Sequence, residues 1–385
     1  PHPPPAGRQH RGCGCLSQSC RSSAAASSLR TVRFLVPGTT GRYRCGGLLV
    51  ELQTARLVAA LASVQIVTYR QREADHPFLA DLLRAEPLRG SSAAGPEAPL
   101  WIVSWGFDVP ALLRRLKGRA TAYHAHSSGY GFALPPGVPV LAVSRNTLGY
   151  WGNRAPRNPL WLVPNALEPQ WLERGARRGL SAAGTLPRPV DVLVQQRKSS
   201  NYVLEQLVPA LRARGLTVHV QSGWVDDLVD LFNSATVYLY DSADYWRGRG
   251  VSEGFGLPPI EALACGCVVF SSFNHALADL LEPGRMGHQI GYGCLEADVD
   301  RIVAAVSSPA DWLPAPDRLE ALLADCSEQA LIHHWSQALD AISASWRAGY
   351  AAAPSLPSMP AWRLRWKQKA QGLRRRLPRW RRSIG

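Results

Sequence analysis

The sequence predicts an α/β protein built from two Rossmann-like, doubly wound domains that face each other across a cleft. Its 385 residues suffice for two domains with separate cores. Short apolar, strand-like runs alternate with helical patterns, and this alternation stops at a Pro- and Gly-rich connection and then restarts. Strands alternating with helices form parallel sheets covered on both faces. Because such folds bind ligands outside the carboxyl ends of their strands, we expect the site in the cleft.

The first domain is predicted to span residues 31–168. A strand at 32–36 is broken by the turn-forming residues 37–41, after which Gly46 and Gly47 open a helical pattern. Residues 84–99 have the composition of a loop, and Pro164 to Pro169 are interpreted as a hinge. The further predicted strands are 64–68, 101–105, 120–123, 138–143 and 160–163.

The second domain is predicted to span residues 169–346, beginning with a Gly-, Arg- and Pro-rich connection to about residue 188. It repeats the alternation of strands and helices without repeating the sequence. Its predicted strands are 190–194, 216–220, 236–240 and 267–270. Its predicted helices lie near 202–213, 225–232, 259–264, 276–281, 299–306, 318–326 and 330–346.

The net charge of +14 comes from the two ends of the chain. Residues 1–30 contain four arginines and no acid, and residues 361–385 contain ten basic residues and no acid. The remaining 29 basic residues equal the 29 acids, so the folded body is neutral and nucleic acid is not an expected partner. We expect residues 1–30 to be a disordered basic segment. Residues 347–385 are predicted to be a Pro/Ser linker followed by a basic amphipathic tail.

The basic tail, residues 361–385, has a helical pattern in which the tryptophans lie on one face and most of the basic residues lie elsewhere. At about 100° per residue one face carries Trp362, Trp366, Ala370, Leu373, Leu377 and Trp380. This composition is typical of interfacial helices attracted to anionic lipid. A solubilising tail and a nucleic-acid-binding tail are the alternatives, and we favour the membrane surface. No run of 18 apolar residues occurs, so we expect a cytoplasmic protein attached peripherally to the inner face of the membrane.

Cysteine spacing does not indicate a metal site. The eight cysteines are scattered, and the three nearest the start lack a matching pair of ligands. Cys265 and Cys267 flank a glycine and are predicted to be buried free thiols. The acids Asp298 and Asp300, spaced like a metal-binding Asp-x-Asp, are interpreted as the start of the 299–306 helix.

Glu253 and Glu261 stand eight positions apart around the stretch Gly-Phe-Gly-Leu-Pro-Pro-Ile. Proline suits the first turn of a helix, and glycine lets the backbone approach a ligand closely. The N-terminus of a helix favours an anion. A carboxylate in that first turn, Glu261, can accept hydrogen bonds from vicinal hydroxyls such as those of a ribose. The alternative is that Glu261 only complements the helix dipole.

Residues 253–266 resemble the Glu-x7-Glu signature of retaining GT-B glycosyltransferases, most closely glycosyltransferase family 4. Residues 37–47 resemble the glycine-rich loop of that family, and Tyr123-His-Ala-His126 resembles its strand-end histidine motif. Val143-Ser144 and Val163-Pro-Asn165 resemble the segments that complete its N-terminal domain. The resemblance extends from about residue 31 to 345 and implies the GT-B fold.

The resemblance implies roles for the residues that match the signature. Glu261 would hold the ribose of a nucleotide. The donor sugar would contact the carboxylate of Glu253 and the backbone that follows it, at Gly254, Phe255, Gly256 and Leu257.

The resemblance also implies roles outside the signature. Arg197 and Lys198 would clamp the diphosphate. The family usually separates these two cations by several residues, and their adjacency here favours Arg197 over Lys198. Gly46 and Gly47 would let the loop approach the phosphate or the acceptor, and His126 would meet the sugar near the reacting carbon.

The implied activity is that of a retaining hexosyltransferase. It would move a hexose from a nucleotide-diphosphate sugar to a hydroxyl of a glycan or lipid-linked acceptor, with no cofactor and no metal. The unusual segment 241–250 would shape the sugar pocket, supply cations through Arg247 and Arg249, or form a solvated loop. A catalytically inert sugar-nucleotide-binding scaffold and a nucleotide-sugar epimerase of the same fold remain as alternatives.

Overall fold

The structure is a computed structural model that describes residues 31–88, 98–177, 188–291, 294–348 and 361–376. The predicted disorder of residues 1–30, most of the predicted linker and the last nine residues of the tail lie outside the described residues.

The first domain contains a six-stranded parallel sheet in the order β2-β1-β3-β4-β5-β6. Its strands are β1 (Thr31–Val36), β2 (Ser63–Thr68), β3 (Leu100–Val103), β4 (Thr121–Ala125), β5 (Val140–Ala142) and β6 (Leu160–Leu162). Its helices are α1 (Gly46–Val58), α2 (Leu79–Ala85), α3 (Val109–Arg115) and α4 (Arg145–Arg154).

The second domain contains a five-stranded parallel sheet in the order β11-β10-β9-β7-β8. Its strands are β7 (Val190–Gln195), β8 (Val218–Gln221), β9 (Ala235–Tyr240), β10 (Val268–Ser271) and β11 (His288–Gln289). The helices that follow the first sheet are α5 (Pro169–Arg174), α6 (Val208–Ala213, preceded by a π-helical turn at Tyr202–Leu207), α7 (Leu228–Asn233), α8 (Ala243–Arg249), α9 (Leu257–Ala264), α10 (Leu277–Leu280), α11 (Leu295–Ser307), α12 (Pro316–Asp325), α13 (Glu328–Arg347) and α14 (Ala361–Arg376).

Both sheets are doubly wound, as the sequence predicted. In each sheet the strand order reverses beside the first strand, between β1 and β3 and between β7 and β9. At such a switch point the connections leave to opposite faces, and a crevice opens outside the carboxyl ends of the strands. Lys198 follows β7 and Tyr240 ends β9, so the second crevice lies between these two residues.

Helix α13 packs on the first domain, although the predicted boundary assigned its residues to the second. Leu331, Trp335, Ala338 and Ile342 join the core formed by β1, β3 and α1. The ring of Trp335 lies 5.6 Å from that of Phe34. The apolar stripe of the helix was visible in the sequence, but the stripe does not identify the domain that it covers.

The chain crosses between the domains twice, and the two crossings touch. The first crossing is the predicted hinge after β6, and the second lies between α12 and α13. The amide of Leu167 in the first donates to the carbonyl of Cys326 in the second, at 2.8 Å. Leu167 packs in the core of the second domain, whereas its neighbour Ala166 packs in that of the first.

The remaining differences from the predicted elements are local. Segment 241–250 contains helix α8 instead of a solvated loop, and the short strand β11 and helices α2 to α5 were not predicted. Helix α11 begins at Leu295, so Asp298 lies inside the helix, where it is fully buried and accepts hydrogen bonds from Tyr202 and from the amide of Gly291. Cys265 and Cys267 are buried free thiols, as predicted. In the described part of the chain, no helix is long and apolar enough to cross a bilayer.

Candidate active site

Lys198 and Glu253 form an ion pair at the switch point of the second sheet. Their Nζ and Oε2 atoms lie 3.9 Å apart, and Glu253 is 5% exposed. The ammonium donates to the Tyr240 hydroxyl at 3.3 Å and lies 4.8 Å from the centre of the Trp246 ring. Lys198 has a φ of 77°, a strained conformation for a residue with a side chain. The local fold therefore holds this cation in the crevice at an energetic cost.

Three donors converge on the same Oε2 atom of Glu253. They are the Tyr240 hydroxyl at 2.6 Å, the indole N–H of Trp246 at 2.7 Å and the Ser242 hydroxyl at 3.2 Å. Burial, reinforced by the charge of Glu253, raises the pKa of Tyr240 well above its usual value, so the hydroxyl keeps its proton. In the described part of the chain the second oxygen, Oε1, has no such donor. Glu253 is therefore rigidly oriented and retains acceptor capacity for a ligand.

Helix α9 begins in the crevice directly after Gly256. The backbone of Gly256 has a φ of 100°, a left-handed conformation that favours glycine. Pro258 and Pro259 fill the next helical positions, as the sequence predicted. Because prolines have no N–H, the amides of Gly256 and Leu257 are the donors that this end of the helix offers an anion. Phe255 is buried in the core of the second domain.

Glu261 lies in the second turn of α9, one turn later than the sequence predicted. Burial raises the pKa of its carboxyl group to about 8; the charge of Glu168 adds to the rise and that of Lys198 opposes it. Within the described residues no side chain or amide donates a hydrogen bond to this carboxyl. The side chain is half-buried, and a carboxyl group in that position without a donor is available to a ligand with hydroxyl donors.

Arg197 and Lys198, predicted to clamp a diphosphate, have different surroundings. The Arg197 side chain is exposed in the turn after β7 and makes no ion pair among the described residues. The structure thus places Lys198 beside Glu253 and leaves the Arg197 side chain outside the crevice. The sequence analysis had favoured Arg197, because the two cations are adjacent in the chain. The left-handed backbone at Lys198, which sequence does not reveal, turns consecutive side chains in different directions.

His126 lies at the end of β4 and is linked to a buried acid that the sequence analysis missed. Its Nε2 atom and the Nδ1 atom of His124 each lie 2.7 Å from Oε2 of Glu51, on α1. Burial alone would raise the pKa of Glu51, but the charges and hydrogen bonds of the two histidines lower it below its usual value. Burial, and then the charge of His126, lower the pKa of His124. Glu51 therefore fixes the orientation of both rings.

The Glu51–His124–His126 cluster is also the group of described residues whose atoms could hold a metal ion, since one ligand atom from each lies within 4.8 Å of the others. Two histidines and a carboxylate match known zinc ligand sets. Here the same three atoms are joined by short hydrogen bonds. Oε1 of Glu51 and Nε2 of His124 are buried without a partner.

The two domains meet tightly next to this cluster. A β-carbon placed on Gly254 would lie 1.5 Å from the carbonyl oxygen of His126, so only glycine permits this approach. The hydroxyl of Ser252 accepts from the amide of Ser128 at 3.0 Å and from its hydroxyl at 2.8 Å. This contact brings Glu253 and His126, predicted from separate domains, to one place.

Gly46 and Gly47 form the first turn of α1. Both are exposed, and a β-carbon on either would meet nothing within 4 Å. Their backbone is therefore accessible, on the same helix that carries Glu51.

Residues 191–309 match the family model described as glycosyl transferases group 1. The chain is a glycosyltransferase with a group 1 domain. The matched segment begins in β7 and contains Lys198, Glu253 and Glu261. A search of curated protein sequences gives no significant match.

Solved structures with the same architecture extend the likeness to both domains of the glycosyltransferase. Sucrose-phosphate synthase from Thermosynechococcus elongatus is 16% identical and has a TM-score of 0.54, covering 84% of this chain and 100% of its own. A glycosyltransferase from Rickettsia africae is 10% identical with a TM-score of 0.54, covering 82% and 99%. Anabaena HepE, solved in complex with UDP and glucose, is 15% identical with a TM-score of 0.51, covering 81% and 100%. These matches confirm the GT-B fold.

Several residues of the glycosyltransferase site were missed in the sequence, and some had left a signal. Tyr240 ends a strand that was predicted, so the rule for ligands at strand ends could have identified it. Ser242 and Trp246 lie in the segment that was noted as unusual. Glu51 has no sequence signal, because a single acid in an amphipathic helix resembles any solvated position.

Proposed function

We propose that the enzyme transfers a hexose from a nucleoside-diphosphate sugar to a hydroxyl of a glycan or lipid-linked acceptor, with retention of anomeric configuration. The observation that carries this proposal is the half-buried carboxyl of Glu261, which receives no hydrogen bond from the described residues and lies in the same crevice as Lys198. A ribose diol offers two hydroxyl donors to such a group. The solved complexes of HepE with UDP and glucose and with UDP-glucose support a nucleotide sugar as donor.

The donor would extend from Glu261 along the start of α9. Its ribose hydroxyls would bond to Glu261, and its diphosphate would meet the amides of Gly256 and Leu257 and the ammonium of Lys198. The sugar would lie against Glu253 and beneath His126, where the domains meet. This order follows the chemistry of each group: an acid for the diol, amides and a cation for the phosphates, an oriented carboxylate for the sugar hydroxyls.

Catalysis would depend on stabilising the charge of the departing diphosphate. As the glycosidic bond breaks, negative charge grows on the phosphate oxygen that leaves, and Lys198 and the α9 amides offset it without a metal ion. Glu253 acts as a positioning acid, because its Oε2 atom already accepts three hydrogen bonds. The acceptor hydroxyl passes its proton to the leaving phosphate as it attacks the same face of the sugar, which retains configuration.

The donor assignment is tested by a thermal-shift screen across UDP-, GDP- and ADP-sugars. A ligand at 100 times its dissociation constant stabilises the fold by about 2.7 kcal/mol. With the stabilising donor, a transferase releases nucleotide and glycosylates an acceptor, an epimerase returns an altered nucleotide sugar, and a scaffold does neither. Absence of any shift would contradict the donor assignment.

The role of Lys198 at the phosphate site can be tested by replacing it and its neighbour Arg197 in two matched variants. Lys198→Gln removes the cation at Glu253 and is expected to lower turnover about 100-fold, the effect of one charge-assisted contact in a water-excluded site. Arg197→Gln removes the exposed neighbouring charge and is expected to leave turnover unchanged. Equal losses in the two variants would refute the assignment of Lys198.

The tail would bring the enzyme to an anionic membrane surface, where lipid-linked acceptors reside. Trp362 and Trp366 lie one turn apart on α14 and are 58% and 69% exposed. Tryptophan at this spacing among basic residues matches the pattern of helices that lie in the interface. Residues 377–385, which complete the predicted face, lie outside the described residues.

A further inference from the structure

A groove of about 770 Å³ lies between the domains, next to the Ser128–Ser252 contact. One wall is the first two turns of α4 with the loop after β4, and the other is α8 and the residues after it, to 252, with residues 274 and 275. None of the residues that the family resemblance assigns to the donor lines it, although Arg247 belongs to the segment that was expected to shape the sugar pocket or to supply cations. Its size suits a sugar phosphate or a similar head group.

The groove carries positive charge from both domains. Arg145 begins α4, and Arg247 lies on the opposite wall in α8. Among the described residues that line the groove there is no aspartate or glutamate. Arg247 is partly neutralised by Asp244 at 3.1 Å, whereas Arg145 forms no ion pair within the described ranges.

The other polar groups of the groove include the amides of Asn146 and Asn274 and the ring of His275. His275 has a φ of 52°, a strained conformation for a residue with a side chain. Asp279, on α10 of the second domain, accepts a hydrogen bond from the backbone amide of Asn146 at 2.7 Å. The residues that line the groove therefore carry two positive charges and several neutral polar groups, while Asp244 and Asp279 lie behind them.

The groove opens where a glycosyl acceptor would have to enter. Ser252 lines it and directly precedes Glu253, while Ser128 lines it two residues after His126. A molecule held here would have its hydroxyl near the sugar that Glu253 and His126 are proposed to hold. The donor would meanwhile reach the same point from the start of α9.

We propose that this groove is the acceptor subsite and that the acceptor carries a phosphate group, bound by Arg145 and Arg247 from opposite walls. Planar guanidinium groups bind phosphate oxygens in pairs of parallel hydrogen bonds, which gives both charge and orientation. The assignment rests on the proposed transferase function. A phosphorylated free sugar and the phosphate of a lipid-linked sugar share this chemistry.

The test measures acceptor binding with the donor site filled. The full chain, saturated with the nucleoside diphosphate that gives the largest thermal shift, is titrated calorimetrically with glucose 6-phosphate, with glucose and with farnesyl-diphosphate-linked glucose. Binding of either phosphorylated probe, at least tenfold tighter than glucose, supports the subsite, and the probe that binds tighter identifies the source of the phosphate.

Arg145→Gln and Arg247→Gln are each expected to weaken that binding about 10- to 100-fold, the effect of one charge-assisted bidentate contact. Arg114→Gln, an exposed arginine on α3 outside the groove, is the matched control and is expected to change nothing. Each variant should keep the thermal shift with nucleotide, which shows an intact fold and donor site. Equal affinity for glucose and its phosphates, or binding unchanged in both groove variants, would overturn the proposal.

The two proposals fail in different ways. If no nucleotide shifts the melting curve, the donor assignment fails, and the same titration on the free protein still reports whether Arg145 binds phosphate. If nucleotide binds normally but the phosphorylated probes do not, the acceptor assignment fails alone.

Discussion

Glu261→Gln is expected to stabilise the free protein and to weaken nucleotide binding. An ordinary glutamate has a pKa near 4.5, and burial raises that of Glu261 to about 8. Between these values the folded state binds a proton that the unfolded state does not, so folding stability falls as the pH rises. At 1.36 kcal/mol per pKa unit, the upper limit of this cost is about 3 kcal/mol at pH 7.

Glutamine keeps the shape of the side chain but has no charge to desolvate. Burying its amide without partners costs about 1–2 kcal/mol, so a net gain of about 1–2 kcal/mol is expected at pH 7, a larger gain above pH 8 and none at pH 5. Thermal denaturation of both proteins across this pH range measures the difference. Glu205→Gln, at an exposed site, is the control and should show no such trend.

The same variant should bind nucleotide about 100-fold more weakly, because hydrogen bonds to a charged acceptor contribute about 1.5–3 kcal/mol each. Affinity of the unmodified enzyme should increase about tenfold from pH 7 to 9 as the carboxyl ionises. A 2′,3′-dideoxynucleotide should bind both proteins equally, since it lacks the diol. Destabilisation by glutamine above pH 8, together with unchanged nucleotide affinity, would refute the reasoning.

Three further predictions concern the domain contact, the tail and metal ions. Gly254→Ala places a methyl group 1.5 Å from the carbonyl of His126 and should lower turnover by at least about tenfold by holding the domains apart. Gly248→Ala, where a β-carbon meets nothing within 4 Å, is its control in the same kinetic assay. Replacing Trp362 and Trp366 by serine should release the full chain from vesicles containing phosphatidylglycerol in a sedimentation assay, and equal sedimentation would exclude these side chains as the anchor. Treatment with EDTA should leave turnover unchanged, because Lys198 and backbone amides neutralise the phosphates; loss of activity that Zn²⁺ or Mg²⁺ restores would instead implicate a metal.

The fold could be predicted from sequence because parallel strands of a doubly wound domain are short, apolar and punctuated by glycine and proline. The ten predicted strands correspond to β1 to β10, with ends that differ by a few residues. Helix α13 could not be assigned to its domain, because the chain returns to the first domain after about 160 residues and the local sequence does not indicate this return. The helix in segment 241–250 was missed because its aromatic and basic residues form no regular stripe.

The candidate site could be predicted where its residues are close together in the sequence. It could not be predicted where an unusual backbone conformation or a contact between distant residues brings a side chain into the site. Glu253, Gly256 and Glu261 lie on one continuous turn and helix, so their spacing indicated their joint position. Lys198 enters the site through a left-handed residue, a conformation that propensities for lysine do not suggest. Glu51 meets its histidines across 73 and 75 residues, a distance over which a single sequence gives no information about contact.

The return of α13 to the first sheet has a consequence for how the protein is made. During synthesis the amino-terminal half leaves the ribosome first, yet its apolar surface stays uncovered until Trp335 and its neighbours emerge. The second sheet, complete at β11, can form before that moment. The domain that is translated first is therefore the one that completes its core last, and a nascent chain stalled before residue 328 would expose the place that Trp335 later fills.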